Sequence, residues 1–231
     1  MNFLYKYSML DVFLNRKTQR SFTDREISQD HLNQILKAGC SAPSKQRAYP
    51  WRVIALTQSE TALEIKNKLF TDSFINVPVK KHLLTAKAPL LLAWIGVPIL
   101  DNYDLGLIKN NYNVRQLGKT GLKTAVDPKT QYTVRTRAEK DTMVAASFSM
   151  IQAESLGYNT AFTSCFLEDT ACKILNLESH EWPIIFLSIG FPEETQTRND
   201  VIKNNQIIGF SDPRPFPEPK KLGPEELSMV I

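Results

Sequence analysis

"SAPSKQRAYPWRVIALT", residues 41–57, joins a stiff polar loop to an apolar run, and its reading sets the architecture. The residues before Pro43 and Pro50 are pushed towards extended backbone. The segment therefore reads as a rigid, positively charged elbow, carrying Lys45, Gln46 and Arg47, that feeds a strand over Trp51–Thr57. Upstream, Ser28 is placed to cap a helix that runs to Cys40, with Ile35 and Leu36 as apolar positions, and that must stop before Pro43. Downstream, Ser59 caps a helix through Phe70.

The alternation continues in both directions. Met9, Val12 and Phe13 sit at helical spacing near the N-terminus. Leu90–Ile95 reads as a buried strand. Asp141–Leu156 is the most regular helix, with Met143, Ala146, Met150 and Ala153 recurring at helical intervals and Gly157 as its C-cap. Asp169–Leu175 reads as a short helix and Ile184–Ile189 as a strand. Strands alternating with helices specify an α/β or α+β layered domain. No internal repeat or low-complexity linker divides the chain, so residues 1–231 read as a single domain. Two segments stand apart: a proline-rich C-terminal arm over 212–231, and a long stretch over 109–140. The latter carries eight cations against Asp127 and Glu139 and is expected to be a lid or insert.

Composition narrows the function classes. The chain is 42% hydrophobic and 23% charged, as expected for a globular protein with a real core. A net charge of +4 is mild and does not by itself indicate a nucleic-acid partner, and it suits a phosphorylated small molecule. The longest apolar run, Ala88–Leu100, is too short to span a bilayer and contains Pro89 and Pro98, so no membrane association is expected. The N-terminus reads as a helix and lacks a signal-peptide cleavage pattern. Cys40, Cys165 and Cys172 are odd in number and lack metal-ligand spacing, which fits a reducing cytoplasm and no metal site. Gly118-Lys119-Thr120 looks like the end of a phosphate loop, but Asn113 stands where that motif needs a glycine. His31, His82 and His180 lie far apart and form no recognisable triad or metal motif.

Basic residues at element ends remain: Arg16, Lys17 and Arg20; Lys45 and Arg47; Lys220 and Lys221. Arginine offers bidentate contacts and lysine a point charge, so such a set can hold a phosphate, or it can be a solvated surface.

Five motifs in order tie these residues together. They are Arg16-Lys17-Thr18-Gln19-Arg20-Ser21-Phe22; Ala42-Pro43-Ser44 followed by Pro50-Trp51-Arg52; Glu154-Ser155-Leu156-Gly157 followed by Thr160-Ala161-Phe162; Pro183–Pro192; and Lys220-Lys221 before Pro224-Glu225-Glu226. With them, the chain from about residue 10 to 227 resembles the nitroreductase-like FMN-dependent oxidoreductases. The resemblance implies an α+β fold in three α-β-α layers, with a central, mostly antiparallel sheet flanked by helices. It implies a homodimer with FMN between subunits and an extended terminal arm. The implied cofactor contacts are Arg16, Lys17, Thr18 and Arg20 at phosphate and ribityl; Pro43, Ser44, Lys45 and Arg47 at the ring edge; Thr163, Ser164 and Cys165 at the flavin N5; and Lys220 and Lys221 near the C-terminus.

Family precedent also implies flavin-mediated chemistry with no catalytic side chain. NAD(P)H would be the donor, and nitroaromatics, quinones or similar electron-poor small molecules the acceptors, by ping-pong hydride transfer. A reductive dehalogenase, a flavin-consuming enzyme and a non-catalytic flavin-binding relative are the alternatives. Ser164-Cys165 replaces a common Gly-Gly pair, and Arg47 replaces a common Asn. Arg47 either stabilises the reduced ring or faces solvent or an acidic partner; the sequence leaves both open.

Overall fold

The structure is a computed structural model that describes residues 9–19, 21–44, 49–74, 88–97 and 134–193. All of these fall in one compact unit that ends at Glu193. The elements are α1 (Met9–Asn15), α2 (Gln29–Cys40), β1 (Trp51–Leu56), α3 (Glu60–Lys68), β2 (Leu90–Gly96), α4 (Val134–Ser155), β3 (Asn159–Thr163), α5 (Glu168–Ile174) and β4 (Trp182–Gly190). A π-helical turn, Leu69–Ser73, extends α3. The two serines expected to cap helices do so: Ser28 Oγ accepts from the His31 N–H and Ser59 Oγ from the Ala62 N–H, each at 3.3 Å.

The sheet order is β1-β2-β4-β3, with each neighbouring pair antiparallel. β2 is fully buried along its length. Its alternate side chains serve opposite layers. Leu90, Leu92 and Trp94 pack with Leu32 and Ile35 of α2 and Ala145, Ala146 and Ala153 of α4. Leu91, Ala93 and Ile95 pack with Ala62 of α3, Leu69, and Ala171 of α5. A strand covered on both faces needs apolar residues at every position, which explains its unbroken hydrophobic run. The result is the expected α+β fold in three layers.

The α2–α4 contact is built on small residues. A Cβ on Gly39 would stand 2.3 Å from Ser149 Oγ and 2.6 Å from Trp94 Cη2. Ser149 Oγ donates to the Ile35 carbonyl at 2.8 Å, so its hydroxyl is not free to move aside.

Two boundaries differ from the sequence reading. α4 begins at Val134, seven residues before the expected Asp141, so residues 134–140 of the basic stretch are helical. The start is fixed by Arg135, which donates to Glu139 at 2.7 Å and to Glu168 at 3.1 and 2.5 Å. β3 is additional: the sequence predicts no strand over Asn159–Thr163, because five residues with two threonines and an asparagine carry little periodic signal. The rest of the expected lid, 109–133, and the C-terminal arm lie outside the described residues.

Candidate functional site

β3 is an edge strand of the sheet, and the chain after α1 runs along its free side. Thr18 bridges Thr160 in parallel, and the Gln19 N–H donates to the Thr160 carbonyl at 2.9 Å. This places Arg16, Lys17 and Thr18 beside the first residues of β3. Arg16 is half-buried, and Lys17 and Thr18 are exposed. Thr160 is tied in turn to α4, its hydroxyl donating to Glu154 Oε1 at 2.5 Å.

The other end of β3 delivers Thr163, Ser164 and Cys165. Thr163 is buried opposite Phe186; Ser164 is exposed and Cys165 half-buried. Just beyond, Phe166 bridges Phe74, and Leu167 N–H donates to the Ser73 carbonyl at 2.7 Å, which closes the turn out of the strand. Thr160 to Thr163 spans about 10 Å at the usual strand rise. A cationic group and a turn of small polar residues therefore stand at opposite ends of one short edge strand.

The elbow sits on the opposite edge. β1 begins at Trp51, paired with Gly96 at the end of β2. The Pro50 carbonyl accepts from Val97 N–H at 3.0 Å and from the Thr142 hydroxyl at 3.4 Å. Ser44 Oγ accepts from the Tyr49 N–H at 2.9 Å, which closes the loop upon itself. Tyr49 has φ +44°, a left-handed backbone that a bulky side chain adopts at a cost, and its ring meets Trp51 edge-on at 5.6 Å. Pro43 is exposed and Ser44 half-buried. The described ends of the elbow, Pro43–Ser44 and Tyr49–Pro50, are thus joined by the Ser44–Tyr49 hydrogen bond.

The predicted site residues therefore form two groups. Arg16, Lys17, Thr18, Thr163, Ser164 and Cys165 line the β3 edge. Pro43 and Ser44 adjoin the start of β1, where Ser44 is tied to Tyr49, and β1 is separated from β3 by β2 and β4, about 14 Å at ordinary strand spacing. Arg20, Lys45, Arg47, Lys220 and Lys221 lie outside the described residues.

Ion pairs brace the sheet end that carries both the elbow and the Ser164 turn. Arg52 of β1 grips Glu181, just before β4, with two 2.6 Å hydrogen bonds. Burial pushes the Glu181 carboxyl up, but the Arg52 hydrogen bond and charge, with the Glu178 N–H, outweigh it and hold the group below its ordinary value. Arg135 joins α4 to Glu168 at the start of α5 and lies over the Trp182 ring at 5.5 Å. The hydrogen bonds of Glu168 and Glu139 raise the Arg135 pKa, against the opposing effect of burial. The Arg135–Glu139 spacing is readable in sequence; Glu168, 33 residues on, is not. Among the described residues no group of three or more His, Cys, Asp or Glu is placed to hold a metal.

The chain matches the nitroreductase family over residues 14–191, well over half its length, and belongs to that family of oxidoreductases. A search of curated proteins gives no match. Solved structures share the fold at low identity. The enone reductase CLA-ER of a gut-bacterial fatty acid saturation pathway is 16% identical, covering 89% of this chain and all of its own (TM-score 0.63). A nitroreductase family protein of Clostridium novyi NT is also 16% identical, over 84% of this chain and 91% of its own (TM-score 0.60). An oxidoreductase described as containing FMN is 18% identical, over 82% and 79% (TM-score 0.57).

Proposed function

We propose that the protein is an FMN-dependent NAD(P)H oxidoreductase that reduces nitroaromatic, quinone or similar electron-poor small molecules, acting as a homodimer. The observation that carries this reading is the β3 edge, with Arg16, Lys17 and Thr18 at one end and the Thr163–Cys165 turn at the other. The donor set fits the cofactor. Cations and a hydroxyl suit a phosphate and ribityl chain, and an exposed turn of small residues leaves its backbone accessible to a flat ring. When bound, FMN supplies hydride acceptance from NAD(P)H and hydride donation to the acceptor.

The chain's own work is to bind and orient. Arg16 and Lys17 neutralise the phosphate, Thr18 hydrogen-bonds beside it, and Thr163, Ser164 and Cys165 present backbone to the ring. Arg20, Lys220 and Lys221 join the phosphate side in this proposal, and Lys45 and Arg47 the ring edge. The elbow residues Pro43 and Ser44 are assigned to the site of a second copy, because their own β3 edge lies across the sheet from them. A second copy also suits the apolar surface left by α1 and α4, where Met9 and Leu10 are 59% and 62% exposed and Val144 and Phe148 38% and 40%. Cys40, Cys165 and Cys172 are not joined in disulfides.

The test is the visible absorbance of the purified protein after incubation with FMN and removal of the excess. Flavin bands at about one per subunit, bleached by NAD(P)H and restored by a quinone, are expected. A protein that retains no flavin contradicts the proposal.

A further inference from the structure

The segment that brings Arg16, Lys17 and Thr18 to the β3 edge is held from its far side, by the end of β4. Phe22 bridges Pro192 in antiparallel fashion, and Thr23 N–H donates to the Phe191 carbonyl at 3.0 Å. Glu193 N–H donates to the Ser21 carbonyl at 3.2 Å, and the same carbonyl accepts from Gln19 Nε2 at 2.5 Å. The Ser21 hydroxyl donates back to Glu193 Oε2. Ser21 and Glu193 thus grip each other twice, once through backbone and once through side chains. Ser21 is only 8% exposed, while Glu193 is exposed, so their side-chain hydrogen bond is partly buried.

Phe22 fixes the geometry from below. It is buried with Ala88 and Ala161, and a Cβ on Gly190 would come within 3.0 Å of its ring. The aromatic ring sets the height of the segment over the sheet, and the Ser21–Glu193 pair sets its register. Neither Ser21 nor Glu193 lies among the residues assigned to the cofactor. Gln19 links the two systems: its backbone N–H is on Thr160, beside the cations, and its side chain is on Ser21, beside the clamp.

We infer that Ser21 and Glu193 form a positioning clamp that orders the Arg16–Thr18 segment for the phosphate of FMN. The inference rests on the flavin reading of the site and deepens it. An ordered segment binds with less entropy to lose, and loosening it costs affinity without removing any contact residue. The effect is expected at the phosphate end, because the chain after the Thr163–Cys165 turn is tied elsewhere, through Leu167 to Ser73.

The experiment titrates the purified full-length protein with FMN and, in parallel, with riboflavin, which lacks the phosphate, and follows flavin fluorescence. Ser21→Ala and Glu193→Ala are each expected to weaken FMN binding about tenfold and leave riboflavin binding within about twofold. Glu193→Gln, which keeps an acceptor oxygen for the Ser21 hydroxyl, is expected to restore most of the FMN affinity. Equal losses for both flavins, unchanged FMN binding in both alanine variants, or tighter FMN binding by Glu193→Ala would overturn the clamp while leaving the flavin site standing. An unsubstituted protein that binds neither flavin would overturn the flavin reading and the clamp together.

Discussion

The two edges of the sheet are built on different physics. At the β1 edge, the contacts of the described residues are local: Pro43 and Pro50 restrict their own backbone, and Ser44 accepts from Tyr49 five residues on. At the β3 edge, order is borrowed. The residues after α1 contribute no strand of their own and depend on Thr160, Phe191, Pro192 and Glu193 for their place. A self-sufficient element can be presented to a neighbour; a borrowed one works only inside its own chain. This difference is what the proposed shared site would need, with each chain supplying its own basic segment and lending its elbow to a second copy.

The largest expected effect comes from breaking the pairing of copies. Leu10→Asp combined with Phe148→Asp places charges on the exposed apolar faces of α1 and α4. If the chain pairs as proposed, the double variant should be monomeric and retain no flavin, with light scattering and absorbance as the readouts. A monomer that keeps stoichiometric FMN would show that one chain suffices.

A second variant weakens the support beneath the elbow. Gly39→Ala drives a methyl group against Ser149 Oγ and the Trp94 ring in the α2–α4 contact. Overpacking of this kind costs about 1–3 kcal/mol. Urea unfolding should show the loss, and wild-type stability would mean that α2 can shift away from α4.

At the β3 edge, Arg16→Ala should weaken FMN binding about tenfold, as expected for the loss of one charge-assisted contact. Riboflavin binding should barely change. Losing both flavins equally would move Arg16 away from the phosphate.

The smallest effect belongs to a control that has no assigned part in the cofactor site. Lys66 is 3% exposed, and its ammonium donates to the Ala88 carbonyl at 3.1 Å and to Gln58 Oε1 at 3.4 Å. Burial lowers its pKa from 10.5 to about 8. The folded state therefore holds this proton less tightly than the unfolded chain does. Stability contributed by the neutral amine is present above about pH 10.5, falls as pH drops towards about 8, and levels off below. Lys66→Met should stabilise the protein at pH 7 by about 1 kcal/mol, once the lost hydrogen bonds are set against the removed burial cost. The gain should shrink as pH rises, and thermal unfolding at pH 7 and pH 9.5 checks the trend.

Sequence reasoning reached most of the layers, for identifiable reasons. Ser28 and Ser59 announced helix starts because capping chemistry is local. Leu90–Ile95 announced a doubly covered strand because burial on both faces leaves an unbroken apolar run. β3 escaped because Asn159–Thr163 owes its conformation to β4 beside it, and pairing partners leave no mark in a five-residue window. The early start of α4 escaped because Arg135 is held by Glu168, which is distant in sequence.

The candidate residues could be named by motif and not by arrangement. Arg16, Lys17 and Thr18 and the Thr163–Cys165 turn could be named, yet only the strand order shows that Pro43 and Ser44 stand on the other side of the sheet. The Ser21–Glu193 pair, 172 residues apart in the chain, had no signal in the sequence.

Subunit complementation tests the shared site most directly. One variant carries Arg16→Ala with Lys17→Ala; the other carries Ser44→Ala with Pro43→Gly. Each alone should bind FMN poorly. Unfolded, mixed in equal amounts and refolded together, they should form mixed dimers in which one of the two sites has an intact basic segment and an intact elbow. About a quarter of the wild-type flavin content should then return. No recovery from a mixture shown to contain mixed dimers would mean that each chain builds its site alone, and would contradict the division of the site between the two edges.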